Sequence, residues 1–234
     1  MIDRLDKTYC QTCRLSHRLH IWRKKIFWLV VVASATLIKR VFDIIVSSTC
    51  LLLLLPFMTI VAIVIKSYDG GPVFYISQRV GQWGKPFKFI KFRTMHIDAD
   101  KIHVELAKDN VHGETGVTFK MKRDPRVTYI GRIFRKLSID ELPQLWSVII
   151  GDMTLVGPRP PLLQEVAKYS LVERRRLDVV PGITCTWQVT GRADIPFKQQ
   201  VKLDVDYIES QSFSTDLKIL LATIPAILKG KGAY

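Results

Sequence analysis

The apolar run from Val41 to Ile65 constrains this chain most. As one straight helix it would be about 37 Å long, enough to cross a bilayer core of about 30 Å. However, Pro56 lies inside the run, where a proline removes a helical hydrogen bond and kinks the helix. Both ends are basic, with Lys39-Arg40 before the run and Lys66 after it, and basic flanks favour the cytoplasmic side. The pattern predicts a kinked helix that enters and leaves the same leaflet, with a single span as the alternative.

Residues 1–38 form a basic N-terminal extension with a short apolar segment, Ile26 to Ile38. This segment is too short to span a bilayer, so we expect it to lie in the membrane interface. Ala33-Ser34-Ala35 resembles a signal-peptide cleavage site, but the leader is unusually long and another apolar run follows, so cleavage is not expected. A nearby cysteine and histidine cluster is spaced too closely for a finger-like zinc site; its members are Cys10, Cys13, His17 and His20.

The charge and apolarity of the chain point in the same direction. The formal net charge is +14, hydrophobic residues make up 48% of the sequence, and the mean hydropathy is +0.14. A chain that is both basic and apolar fits an anionic membrane surface better than nucleic acid. No zinc-finger spacing, ribonucleoprotein motif or periodic basic helix supports nucleic-acid binding, which we do not expect. The four cysteines do not indicate a disulfide framework.

After Gly70-Gly71-Pro72 the composition becomes that of a water-soluble domain. Val73–Ile76 and Phe87–Phe92 read as strands of a hairpin around a turn at Gly81–Gly84. A loop is predicted over Val111–Thr118 and a rigid one over Gly157–Pro161; helices are predicted over His96–Asn110, Ser138–Ile150, Leu162–Leu177 and Leu217–Leu228. The last helix is apolar over a broad face, so it suits either a protein core or a membrane interface. The expected fold class is helix-rich α+β.

Adjacent carboxylates, Asp140 and Glu141, stand where a helix should begin. Ser138, three residues before Glu141, fits a capping box, and Pro143 is tolerable in a first turn. A capped surface helix would explain the same residues. Alternatively, one carboxylate attacks a phosphorus atom while its neighbour holds a metal ion or moves a proton.

Several arginines stand in or near sequences rich in glycine and proline, where a stiff backbone could present them to phosphate. These candidates are Arg79, Arg93, Arg159 and Arg192, with Arg135 just upstream of the carboxylate pair. Singly, each is more often a solvated charge; together they suit two phosphate-bearing substrates.

Other functions fit less well. Asp98-Ala99-Asp100 resembles the metal motif of many nucleotide-sugar glycosyltransferases, but such a tripeptide often occurs by chance. All five histidines precede Asp140 and none stands in a nucleophile motif, so a Ser-His triad has little support. A non-catalytic polybasic membrane scaffold is the remaining alternative.

The sequence resembles the bacterial sugar transferase family, the monotopic polyprenyl-phosphate phosphoglycosyltransferases. The resemblance runs in order from Lys39 to Tyr234. Its blocks are Lys39–Asp43, Gly71–Phe74, Gln78–Gly81, Lys91–Met95, Leu137–Gln144, Gly151–Pro160, Pro181–Thr184, Trp187–Arg192 and Gly232–Tyr234.

The resemblance implies a mechanism. Asp140 would attack the sugar-bearing phosphate of a nucleoside diphosphate sugar, and the lipid phosphate would then attack the phosphosugar-enzyme. Asp140 and Glu141 would be the catalytic and metal-binding pair, with Mg²⁺ bridging the phosphates and Glu141 as ligand or base. Arg135 and Arg159 match arginines near the phosphates. A UDP-hexose donor and polyprenyl (undecaprenyl) phosphate are expected, in the initiating step of exopolysaccharide, lipopolysaccharide, capsule or glycoconjugate synthesis.

The resemblance also implies an organisation: a re-entrant membrane helix over 39–66 broken at Pro56, and a cytoplasmic catalytic domain over 67–234. The extension over residues 1–38 matches neither the short nor the long members of the family. Lys39 and Arg40 would belong to the anchor. The common Ser-Pro of the family is Leu55-Pro56 here. We expect interfacial amphipathic helices and a location on the cytoplasmic face of the bacterial inner membrane, and a homodimer is compatible with this arrangement.

Overall fold

The computed structural model describes residues 2–97, 99 and 124–230, with side chains from His20 onward except that of Ala193. The predicted loop 111–118 and most of the predicted helix 96–110 lie outside these residues, as do Asp98, Asp100 and the side chains of Cys10, Cys13 and His17. The chain divides into two compact units, residues 1–42 and 43–234.

The first element is helix α1, Ile2–Asp69, which contributes to both units. By length and composition, its stretch His20–Asp69 is able to cross a membrane, with a mean hydropathy of 2.6 over the best window of 18 residues. Within unit 1–42, the large apolar side chains of the segment 26–38 are exposed on every side of the helix. This pattern is typical of a helix in contact with lipid. Contact between Ile26–Ile38 and the membrane interface stays a prediction.

In unit 43–234, the first turns of the remainder of α1 show the reverse of the burial pattern of a soluble protein, because polar side chains are buried and apolar side chains are exposed. Asp43 and Ser47 are buried, whereas Leu52 and Leu53 are 72% and 73% exposed. Thr154 donates a hydrogen bond to the Asp43 carboxylate and so ties the helix to the domain. Apolar side chains that face outward around a polar attachment suit lipid as the solvent. Pro56 lies within the bounds of α1. The re-entrant path expected from a kink at Pro56 stays a prediction.

The other elements follow in chain order. The strands are β1 Phe74–Val80, β2 Pro86–Phe92, β3 Thr154–Val156 and β4 Gly182–Thr184. The helices are α2 Tyr129–Lys136, α3 Gln144–Ile150, α4 Leu163–Ala167, α5 Leu171–Arg174, α6 Thr186–Thr190, α7 Phe197–Glu209 and α8 Phe213–Lys229. Single 3₁₀ turns occupy Gln82–Gly84, Ile139–Glu141, Arg175–Leu177 and Arg192–Asp194.

The predicted hairpin is confirmed. Strands β1 and β2 pair antiparallel, with Phe74 opposite Phe92 and Val80 opposite Pro86. Both strands were predicted from runs of strand-forming residues on either side of the Gly81–Gly84 turn, although β1 extends four residues beyond the predicted end at Ile76. A second, parallel pair, β3 with β4, was not predicted, since each strand has only three residues.

Glycine is required where β4 approaches the start of the loop that follows β3. A Cβ atom on Gly182 would lie 2.0 Å from the Gly157 nitrogen, which no side chain tolerates. The close approach lets the Gly182 N–H donate to the Pro158 carbonyl at 2.9 Å, and the Gly157 N–H donate to the Thr184 carbonyl at 3.0 Å. These two hydrogen bonds hold the first half of the loop over residues 157–161 in place.

The single helix predicted over Ser138–Ile150 is wrong, and so is its capping box. Ser138 adopts a left-handed conformation with φ 54° and makes no side-chain cap. Residues Ile139–Glu141 form a 3₁₀ turn, and α3 begins only after Pro143, which occupies its N-cap position. An N-cap serine needs an extended backbone, and Pro143 has no N–H to continue a helical hydrogen-bond ladder through the segment.

The helix predicted over Leu162–Leu177 is also wrong, because the chain restarts within it. Helix α4 ends at Ala167, and α5 begins at Leu171. Each start is held by a glutamate in the first turn: Glu165 accepts from the Leu162 N–H at 2.8 Å, and Glu173 accepts from the Ser170 N–H at 2.6 Å. Tyr169, in the break, turns into the core.

The last helix is confirmed as α8, Phe213–Lys229, capped by the Ser212 hydroxyl, which accepts from the Thr215 N–H at 3.2 Å. Its buried residues are Asp216 and Ile219. Exposed apolar side chains follow one stripe at spacings of four, three and four residues; they are Leu217, Leu221, Ile224 and Leu228. A stripe with this helical spacing belongs to one face, and that face is open. The interfacial interpretation therefore fits α8 better than the core interpretation.

One hydrophobic cluster joins the end of α1 to the domain. Its buried members are Val61, Ile65, Phe92 and Phe134, and the partly buried Ile139 and Leu142 pack against it. These two residues flank the carboxylate pair, so the cluster supports the turn that carries Asp140 and Glu141.

Candidate active site

The carboxylates of Asp140 and Glu141 are bridged by one lysine from the hairpin. Lys91 Nζ donates to Glu141 Oε1 at 2.6 Å and to Asp140 Oδ2 at 3.3 Å. Lys91 lies near the end of β2, and its ammonium is also 5.5 Å from the centre of the Phe89 ring. The 3₁₀ turn points both acidic side chains towards this strand. Adjacent carboxylates repel each other, and a shared cation offsets that repulsion.

The two carboxyl groups differ in their electrostatic environment. Burial raises the pKa of Asp140 above its ordinary value, and the neighbouring Glu141 adds to the increase, while Lys91 and Arg135 oppose it. Burial also acts to raise the pKa of Glu141, but Lys91, Arg159 and Arg192 outweigh it and hold this pKa below its ordinary value. The structure therefore separates the pair into a Glu141 whose charged form is favoured and an Asp140 that is easier to protonate.

Arg135 approaches Asp140 from helix α2. Its Nε donates to the Thr94 hydroxyl at 3.0 Å, and its charge acts to lower the pKa of Asp140. The Thr94 carbonyl in turn accepts the Thr128 N–H at 3.0 Å. Helix α2 lies so close to this carbonyl that a Cβ atom on Gly131 would be 2.1 Å from it. This close packing of α2 against the Thr94 backbone limits the positions that the Arg135 guanidinium can occupy.

Arg159 and Arg192 act on the Glu141 carboxylate. Arg159 Nη1 lies 3.6 Å from Glu141 Oε1, and 35% of its side chain is exposed, so a ligand could still reach it. Arg192 starts a 3₁₀ turn with a left-handed φ of 51° and contributes to the lowered pKa of Glu141.

Arg79 lies beside Arg159 at the end of β1. Its Nη1 donates to the Pro160 carbonyl at 3.1 Å, and its guanidinium carbon lies 5.0 Å from the centre of the Phe89 ring. Burial lowers the pKa of Arg79 to about 10, and Arg159 adds to the decrease.

Arg93 is placed differently from the other predicted phosphate-binding arginines. Its guanidinium is buried and forms an ion pair with Asp69 at the end of α1, against Gly71. The structure thus brings four of the five predicted arginines to the carboxylate pair and assigns Arg93 to the junction with α1. Their roles in binding phosphate, and those of Lys39, Arg40 and Pro56 in the anchor, stay predictions.

Sequence reasoning missed Lys91 and Thr94. Both residues stand in the block Lys91–Met95 that resembles the family, but neither is predicted to have a role in the site. Alternation did carry a signal, because Phe87, Phe89 and Lys91 share one face of β2 and a lysine there continues an otherwise aromatic row. Thr94 gave no such signal, since its partner Arg135 is 41 residues away.

The arrangement surrounds two carboxylates with an excess of positive charge. Lys91, Arg79, Arg135, Arg159 and Arg192 all act on the pair, so five positive charges face two negative ones, an excess of three. Diphosphate esters are negatively charged, so a positive excess of this kind would offset their charge. Within the described residues there is no group of three or more His, Cys, Asp or Glu side chains that could hold a metal. Two carboxylates do fit Mg²⁺, which takes one or two of them and completes its shell with substrate phosphates and water.

The model of one protein family, bacterial sugar transferase, matches residues 34–230. The chain belongs to this family. Three similar proteins have assigned names: the galactosyl transferase CpsE of Streptococcus agalactiae, the exopolysaccharide production protein ExoY of Rhizobium meliloti, and the undecaprenyl-phosphate galactose phosphotransferase of Salmonella typhimurium.

The chain is 49% identical to CpsE over 167 residues, which are 70% of this chain and 36% of CpsE. It is 40% identical to ExoY over 198 residues, 84% of this chain and 88% of ExoY. It is 40% identical to the Salmonella protein over 203 residues, 86% of this chain and 42% of that protein. The chain therefore spans less than half of two of these relatives and most of the third.

Proposed function

We propose that this chain transfers a sugar 1-phosphate from a nucleoside diphosphate sugar, a UDP-hexose, to undecaprenyl phosphate. The observation that supports this most is the Asp140–Glu141 pair with its excess of surrounding cations. The name of the Salmonella relative, an undecaprenyl-phosphate galactose phosphotransferase, supports the acceptor and the class of sugar. The name of ExoY, of which the match covers 88%, supports a role in exopolysaccharide production.

The first step is attack by the Asp140 carboxylate. Lys91 binds Oδ2, so we assign the attack to Oδ1. Oδ1 forms a bond to the sugar-bearing phosphorus, the phosphoanhydride bond breaks, and its electron pair leaves with UMP. An anionic nucleophile can approach an anionic donor because Arg135, Arg159 and Lys91 offset the charge of the phosphates.

The second step regenerates the carboxylate. A phosphate oxygen of the polyprenyl phosphate attacks the same phosphorus, and the bond to Oδ1 breaks, which gives polyprenyl diphosphate sugar. One phosphoanhydride replaces another, so no ATP is required. Glu141, whose pKa is held low, stays charged and orients Lys91 and Arg159 throughout.

A Mg²⁺ ion is the cofactor that we propose, held by Glu141 with or without Asp140 and by the substrate phosphates. When bound, it would neutralise charge on the phosphates. Lys91 already contacts both carboxylates, so the protein offers few oxygen ligands of its own and the ion would arrive with the donor.

The location that we propose is the cytoplasmic face of the bacterial inner membrane. The outward apolar residues of α1 and the open stripe on α8 support membrane association. Thr59 donates to the Leu55 carbonyl at 2.9 Å next to Pro56, and such side-chain bonds accompany bent helices. Lys39→Cys and Lys66→Cys, each in a background without native cysteines, test re-entry: labelling of both from the cytoplasmic side supports it, and labelling from opposite sides contradicts it.

The covalent step is tested with a donor radiolabelled in the sugar-bearing phosphate. Wild-type protein, quenched before lipid is added, should retain the label, and Asp140→Asn should not. UMP should be released, whereas an Asp-x-Asp glycosyltransferase would release UDP. Arg135→Met should slow UMP release, because it removes a cation beside Asp140. Arg132→Met, which changes an exposed arginine of the same helix, is the control and should not slow it. Label retained by Asp140→Asn, or full activity in that variant, would contradict the mechanism.

A further inference from the structure

The loop over residues 157–161 depends on donors outside itself. Its sequence, Gly-Pro-Arg-Pro-Pro, contains three prolines, which have no N–H and can only accept hydrogen bonds. All three proline carbonyls have a donor: the Pro158 carbonyl accepts from the Gly182 N–H at 2.9 Å, and the Pro161 carbonyl accepts from the Val80 N–H at 2.9 Å. The Pro160 carbonyl accepts from Arg79 Nη1 at 3.1 Å.

Arg79 is the side-chain donor among these three. The other two bonds come from backbone N–H groups, which substitution does not remove, so Arg79 is the point where a side chain controls the loop. Pro160 follows Arg159 directly, so a hydrogen bond that holds the Pro160 carbonyl restricts the backbone next to Arg159. Arg159 reaches Glu141 Oε1 at 3.6 Å from this position.

The surroundings of Arg79 fit a structural contact better than an open phosphate site. Its Nε is enclosed and has no hydrogen-bond partner within the described residues. Its guanidinium lies over the Phe89 ring, which compensates part of the lost hydration. Burial and the charge of Arg159 both oppose a cation here, in keeping with the lowered pKa. Arg159, in contrast, keeps 35% of its side chain exposed.

We propose that Arg79 is a positioning residue, which holds the Pro160 carbonyl so that Arg159 faces Glu141 and the donor phosphate, and that it does not itself bind phosphate. This inference rests on the proposed function for the role of Arg159. It replaces the expectation from sequence that Arg79 is a direct phosphate ligand.

A double-mutant cycle separates the two roles. Arg79→Met, Arg159→Met and the double variant are compared by kcat/KM for UMP release. We expect Arg159→Met to lose about 100-fold, a typical loss for one charge-stabilising donor, and Arg79→Met to lose about tenfold or more. The double variant should match Arg159→Met within about twofold, because Arg79 acts through Arg159. Losses that multiply would show two independent phosphate ligands and would overturn the proposal.

A second measurement does not require activity. Phenylglyoxal modifies accessible arginines, and mass spectrometry follows the adduct at Arg159 in the full-length protein. Arg79→Met should speed this modification several-fold, because Arg159 is released from Glu141; an unchanged rate would overturn the proposal. Arg175→Met, which removes an exposed arginine paired with Glu209 at 3.0 Å, should change neither measurement. If the wild type releases no UMP but the adduct rate still responds, the proposed function fails while the positioning role stands.

Discussion

Replacing Lys91 by methionine tests whether the cation between the carboxylates is part of the chemistry. The substitution keeps most of the side-chain volume and removes a bond of 2.6 Å to Glu141 and one of 3.3 Å to Asp140. A hydrogen bond to a charged group contributes about 1.5–3 kcal/mol, and the largely buried carboxylates would lose their shared partner. A loss of about 2–3 kcal/mol in transition-state stabilisation corresponds to a decrease in kcat/KM of about 30- to 150-fold.

The pH dependence gives the same experiment a second readout. Asp140 attacks as the carboxylate, so activity should rise with pH as this group loses its proton. Burial already raises the pKa of Asp140, and Lys91 is the strongest group acting to lower it. Lys91→Met should therefore move the acidic limb of the kcat/KM profile to higher pH, and Lys91→Arg should move it less.

The assay is UMP release by the purified protein in nanodiscs, measured across the pH range. Lys88→Met is the matched control, because Lys88 is exposed on the opposite face of the same strand. We expect the control to keep wild-type kinetics. If Lys91→Met keeps kcat/KM within about threefold of the wild type and the acidic limb does not move, the bridging cation has no role in the reaction.

Further predictions concern the framework. Arg176→Met should reduce the free energy of unfolding by about 3–5 kcal/mol in denaturant titrations, because it removes the ion-pair partner of the buried Asp204 at 2.8 Å; the exposed Arg175→Met should cost under about 1 kcal/mol. Burial raises the pKa of Asp204 from 3.8 to about 6, so its contribution to stability is greatest below about 4 and is lost as pH rises through about 6, a decline that Asp204→Asn should flatten. Gly182→Ala should destabilise by about 1–3 kcal/mol or more, since its Cβ would overlap Gly157. Leu221→Glu should weaken liposome flotation, because it places a charge in the open apolar stripe of α8.

The elements that sequence reasoning predicted correctly are those with a local cause. The hairpin follows from two strand-like runs around the Gly81–Gly84 turn, and α8 from its long apolar face. The helix predicted from Ser138 failed although its signals were real, because a capping pattern describes composition and does not reveal that Ser138 is left-handed. Ile139 and Leu142 on either side of the carboxylates pack against a cluster that includes Ile65 of α1 and Phe92 of β2, and these residues lie far away in sequence.

The candidate site shows the same division. The carboxylate pair and the arginines were identified from residue types and neighbours. Lys91 was missed because its bonds to Asp140 and Glu141 connect residues 49 and 50 positions apart. Arg93 was grouped with the others because it stands in the same kind of sequence, and only the fold reveals its pairing with Asp69. Pairing of β3 with β4 could not be predicted from two strands of three residues.

The hydrophobic cluster at the end of α1 explains how an anchor could set the position of the chemistry. Each chemical group is the sequence neighbour of a cluster residue: Lys91 precedes Phe92, Arg135 follows Phe134, and the carboxylates stand between Ile139 and Leu142. Val61 and Ile65 of α1 fill the same cluster. A displacement of this part of α1 would therefore move the lysine, the arginine and both carboxylates together, because close-packed interiors transmit strain. If α1 lies in the membrane as we propose, its exit point fixes the depth of Asp140 relative to the lipid phosphate.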